Sequence, residues 1–107
     1  MTEGLLGVLE RWLNRRQPEL EALGLTVAIT WGPSDRNPAS AWLDLSSTEK
    51  SARLIVWSDG HAELTVGDYV KGEVLVDEHR EISSEVGLDD AEATALAWMV
   101  ERTEPTR

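Results

Sequence analysis

A chain of 107 residues with no cysteine and a formal net charge of −10 can hold no disulfide, no thiolate metal site and no cysteine nucleophile, and it suits a reducing compartment. No apolar run approaches the roughly 18 residues that span a bilayer, and Met1–Arg16 lacks a basic segment followed by a continuous apolar one, so neither a membrane span nor a signal peptide is read. The charge is uneven: residues 1–36 hold five acids and four arginines, residues 37–107 fifteen acids and six Lys or Arg, a balance that repels nucleic acid and anionic membrane and attracts basic proteins.

Leu5, Leu6, Leu9, Trp12 and Leu13 recur with helical spacing, which predicts an amphipathic helix over residues 3–15 with Thr2 as N-cap. Gln17-Pro18 interrupts the pattern, and Pro18 is read as opening a separate turn to Leu23, closed by Gly24. Five strands follow. Leu25–Trp31 alternates; "GPSDRNPAS" is loop; Ala41–Leu45 is the second strand, and "SSTEKS" leads into Arg53–Trp57. Asp59-Gly60 reads as a two-residue turn into Ala62–Val66, and "GDYVKG" leads into Glu73–Glu81. Asp89 and Asp90 mark the start of a last helix whose buried stripe is read as Ala93, Leu96, Ala97 and Val100. The expectation is one α+β domain over residues 1–107: a five-stranded antiparallel meander with the N- and C-terminal helices packed on one face.

A two-residue turn sets Ser58 opposite His61 and Ile55 opposite Leu64. Keeping apolar residues together then sets Glu63 opposite Asp77 and His61 opposite His79. The "SSTEKS" turn sets Asp44 opposite Arg53 and Trp42 opposite Ile55. One face carries Trp42, Ile55, Trp57, Leu64, Val66, Val74 and Val76 and is assigned to the core. The other carries Leu43, Leu54, Val56, His61, Glu63, Thr65, Leu75, Asp77 and His79, and is open: apolar in the middle, with acids and two histidines toward one end.

Chemistry finds little purchase. Asp59-Gly60-His61 and Asp77-Glu78-His79 would let two histidines meet across a hairpin and hold a divalent ion, but Asp59 serves the turn and surface histidines account for the pattern. Glu63 and Asp77 have the composition of an acid/base pair, on a flat sheet in an acid-rich chain. Neither a nucleophile elbow, a phosphate-cradling glycine loop nor an HExxH motif occurs, so no cofactor is expected. Most of the five tryptophans are read as core. Trp31, at a strand end, and Arg36, in the loop after it, are candidates for contact with a partner.

The stretch from Trp42 to Trp98 resembles the TriTu immunity protein family through "AWLDL", "RLIVWSDGHAEL", "KGEVLVDEHREI" and "LDDAEATALAWM", and "LGLTVAIT" after a helical opening is consistent with it. The resemblance implies a cytoplasmic, non-enzymatic inhibitor of a cognate ADP-ribosyltransferase toxin domain delivered by Rhs-type effectors of type VI secretion. In the family that toxin modifies elongation factor Tu. The partner-binding candidates are then Trp31, Arg36, Leu54, Val56, His61, Glu63, Leu75, Asp77 and His79. Two other classes remain open: a small metal-dependent enzyme or domain using His61 and His79, and a general acidic interaction domain.

Overall fold

A computed structural model describes residues 4–33, 35 and 38–100. The order is helix α1 (Leu5–Ala22), strands β1 (Thr26–Trp31), β2 (Ser40–Ser46), β3 (Lys50–Trp57), β4 (His61–Asp68) and β5 (Glu73–Glu81), then helix α2 (Glu85–Met99). The strands form an antiparallel meander in chain order, β1-β2-β3-β4-β5, as the short connections predict.

Pro18 does not break α1. The helix continues through it, although proline removes the N–H that would bond to Asn14. Both flanks are held by tertiary contacts. Arg15 pairs with Glu85 and Arg16 with Glu92, both on α2, and Leu20 is fully buried. The helix ends where expected. Gly24 takes φ 88°, its N–H donates to Glu21 O (2.9 Å), and Leu25 N–H reaches back to Leu20 O (3.3 Å), with both leucines buried beneath the reversal. Gly4 occupies the N-cap position of α1; the Thr2 cap lies outside the described residues.

α2 starts earlier than Asp89. Ser84 takes the N-cap position and its carbonyl accepts from Gly87 (3.1 Å) and Leu88 (3.4 Å). Asp89 instead accepts the indole N–H of Trp12 at 2.8 Å, tying α2 to α1. The buried stripe is Leu88, Ala91, Ala95 and Met99, with Leu96 partly buried; Ala93 and Ala97 face solvent, and Val100 follows the helix end.

The sheet residues beneath the helices are Ala41, Leu43 and Leu45 on β2, Ala52, Leu54 and Val56 on β3, and Ala62, Leu64 and Val66 on β4. They form one core with Leu9, Trp12, Leu13 and Leu20 of α1 and the α2 stripe. This reverses the expected faces of β2 and β3: Trp42, Ile55 and Trp57 lie on the other side. The physical reason is the space between helices and sheet. Alanines at 41, 52 and 62 are buried on the sheet and those at 91 and 95 on α2, with Ala52, Ala91 and Ala95 lining one small cavity, so the layers are built from small and aliphatic side chains. Of the five tryptophans, only Trp12 belongs to the core.

Candidate functional site

The register explains what the open face presents. β2 and β3 pair as expected, with Asp44 opposite Arg53 and Trp42 opposite Ile55. The β3–β4 turn holds three residues rather than two: Val56 pairs with Ala62, Ile55 with Glu63 and Leu54 with Leu64. Gly60 N–H donates to Trp57 O (2.9 Å) and Gly60 takes φ 100°, the left-handed position of a three-residue hairpin loop with a bulge. Asp59 supports it by accepting His61 N–H (3.1 Å). Between β4 and β5 the register slips at Val66/Gly67, so that Glu63 lies opposite His79, Thr65 opposite Asp77 and His61 opposite Glu81.

The slip relative to the expected pairing is two residues, which preserves faces. His61, Glu63, Asp77 and His79 therefore share the open face, all exposed. Trp42, Ile55 and Trp57, each partly buried, lie beside them on β2 and β3. The remaining candidates fall elsewhere. Leu54 (6 % exposed) and Val56 (0 %) are core, and Leu75 is the extra residue at the bulge and packs against the core. Trp31, 46 % exposed, pairs with Ala41 and so sits on the helix side of the sheet at the end of β1. Arg36 lies outside the described residues.

The sequence reading missed Trp42, Ile55 and Trp57 as surface residues. The signal was present: Asp44 and Arg53 share their face, and an ion pair beside a tryptophan marks solvent. Arg53 grips Asp44 with two hydrogen bonds (2.7 and 3.1 Å) and lies over the Trp42 ring at 5.8 Å. That cation is committed within the face. Pro38, Trp57, Asp59, His61, Glu63 and His79 line a shallow open hollow at the adjacent end. The His61 and His79 rings lie 5.4 Å apart, centroid to centroid, and tilted. Among the described residues, no group of three or more His, Asp or Glu side chains is placed to hold a metal ion.

His61 Nδ1 lies 2.9 Å from Asp59 Oδ2, and this hydrogen bond, with the carboxylate charge, raises the His61 pKa above the ordinary histidine value. Asp59 is lowered, first by the His61 backbone N–H and then by the ring. The signs follow. A raised His61 contributes stability that is complete below the unfolded-state value and is lost as pH rises through the folded one; a lowered Asp59 contributes stability that is lost only as pH falls through its own depressed value. A two-dimensional NMR titration should find His61 titrating above the ordinary range. Asp59→Asn, which keeps the turn's acceptor and removes the charge, should return it to that range; an unmoved His61 would show that Asp59 does not set its charge.

Two helices on one face of a five-stranded meander, with an aromatic and acidic face left open, define the class: a small two-layer α+β domain. The chain belongs to the TriTu immunity protein family, whose model, described as "Immunity protein TriTu", matches residues 8–98. No curated protein and no solved structure matches it. As an immunity protein it binds and neutralises a cognate toxin protein and is not an enzyme. No helix among the described residues is long and apolar enough to cross a membrane.

Proposed function

We propose that the protein, as one binding domain in the cytoplasm of the toxin-producing cell, captures an ADP-ribosyltransferase-type toxin domain carried by an Rhs effector, and that the open sheet face makes the contact. The observation that carries this reading is the make-up of that face. Trp42, Ile55 and Trp57 supply an apolar centre of the kind that anchors interfaces, and Asp59, Glu63, Asp77 and Glu81 supply a flank of acids. Arg53 is already held by Asp44, and His61 by Asp59, so neither is committed to Glu63, Asp77 or Glu81. A basic catalytic domain is the complement of such a surface. Steering by opposite charge favours capture before the toxin turns over.

The test is co-purification with the product of the gene immediately upstream, where an Rhs-type toxin gene is expected, followed by transfer of labelled ADP-ribose from NAD to a target protein. Stoichiometric complex and stoichiometric loss of transfer are expected. A complex with a toxin that transfers no ADP-ribose would discard the toxin class and keep the immunity role. No complex at all would discard that partner.

A further inference from the structure

The two edges of the sheet are built differently. β5 carries charged and histidine side chains in succession, Asp77-Glu78-His79-Arg80-Glu81, and the register with β4 is bulged at Gly67. Charge and bulges are what keep an edge strand from pairing with another chain. β1 has neither. Residues 24–33 contain no charged side chain, and Thr26–Trp31 (TVAITW) has no proline and is rich in β-branched residues.

The hydrogen-bonding phase shows which backbone groups face outward. Gly32 N–H donates to Ser40 O at 2.8 Å, so Gly32 turns its backbone toward β2. Alternation turns Thr30, Ala28 and Thr26 the same way and leaves the N–H and C=O of Val27, Ile29 and Trp31 on the outer side. No described residue forms a backbone hydrogen bond with those outer groups.

We propose that this edge pairs with the β1 edge of a second copy of the chain, antiparallel about a two-fold axis at Ala28, joining two sheets into one of ten strands. The strand is self-complementary in that register. Ala28 meets Ala28, Thr26 meets Thr30 on the open face, and Val27 meets Ile29 on the helix side as a hydrogen-bonded pair. Trp31, exposed on each copy, falls opposite Leu25, two residues from the exposed Leu23. Charge is consistent with the same place: each copy carries −10 overall, and the strand that would pair carries no charge of its own. A two-fold axis normal to the sheet puts both helix pairs on one side and both open faces on the other, so the dimer offers two toxin surfaces side by side.

Sedimentation velocity on the full chain, from low to high micromolar, should show a species of twice the chain's mass that dissociates on dilution and tightens in high salt, where the net repulsion is screened. Ala28→Lys places like charges opposite each other and should leave a folded monomer. Thr65→Lys, the same change of charge on the open face of β4, should leave the dimer. The chain has no cysteine, so Ala28→Cys gives a clean probe. Cα atoms about 4.5 Å apart in a non-hydrogen-bonded pair lie within disulfide reach, and mild oxidation should cross-link it while Thr65→Cys stays uncross-linked. A wild type that is monomeric throughout overturns the proposal, as does a dimer that survives Ala28→Lys without cross-linking at Ala28→Cys. Amide protection of Val27, Ile29 and Trp31 that appears only on toxin binding would assign the edge to a toxin strand, and also overturns it.

Discussion

The double variant Glu63→Lys/Asp77→Lys should associate with the cognate toxin about 10- to 100-fold more slowly at low salt than the wild type. Both residues are exposed on the open face, and the change moves the formal charge from −10 to −6 entirely within that face. For the wild type, added salt should slow association, since it screens an attraction; for the variant it should slow it less or speed it. Folding should be unaffected, because exposed substitutions of this kind shift stability by about ±0.5 kcal/mol. Trp57→Ala separates the apolar centre from the charge. It should leave the association rate near the wild-type value and raise the dissociation rate about 30-fold, the equivalent of ~2 kcal/mol for an aromatic anchor. Stopped-flow association at two salt concentrations, with dissociation by surface plasmon resonance, reads both. A folded double variant with wild-type association at low salt would remove the open face from the interface.

The fold is most legible where local chemistry and tertiary packing agree. The strand count, the antiparallel order and the β2–β3 register were legible, because "SSTEKS" has one good way to reverse the chain and Asp44 and Arg53 belong together. The faces were not. β3 runs "RLIVW", apolar on both sides of its pleat, so alternation could not say which side is buried. Asp59-Gly60 fits a two-residue and a three-residue turn equally, and the difference of one residue moves Ile55 from Leu64 to Glu63. Size is a poor guide to burial here: a core of small and aliphatic side chains leaves Trp42 and Trp57 on the outer face. The β4–β5 bulge was not legible, because "GDYVKG" reads as turn from Gly67 onward whereas β4 continues to Asp68 and Leu75 is left unpaired. His61, Glu63, Asp77 and His79 nevertheless reached the right face together, because the remaining register difference is an even number of residues. Pro18 shows the limit of local rules in the other direction, since a helix tied to α2 just before the proline and buried at Leu20 just after it continues through it.

That helix–helix anchor gives the largest expected loss of stability. Arg16 Nε donates to Glu92 Oε2 and an Arg16 terminal nitrogen pairs with Oε1, each at 2.9 Å, a bidentate fork between α1 and α2. The Glu92 side chain is only 8 % exposed and helps line a small apolar cavity with Trp12, Leu43, Ala91 and Ala95; Arg16 is 25 % exposed. Hydrogen bonding to Glu92 holds the guanidinium pKa above its ordinary value, so the cation persists at any accessible pH. Arg16→Met removes the cation and leaves the carboxylate with little water and no fork. Breaking a buried pair from one side costs about 3–5 kcal/mol, and the partial exposure of Arg16 places this one near 3 kcal/mol. That is a large share of the ~5–15 kcal/mol that holds a domain of this size together. Adding Glu92→Leu should restore most of the loss, since the second change removes the stranded charge and fills apolar space. The Arg15–Glu85 pair is the control. It joins the same helices but is well exposed at both ends, and Arg15→Met should leave the unfolding midpoint close to that of the wild type. Urea unfolding of the wild type, the two Arg16 variants and Arg15→Met gives the comparison directly. Equal losses for Arg15→Met and Arg16→Met, or a double variant no more stable than Arg16→Met alone, would show that the fork is not what joins the helices.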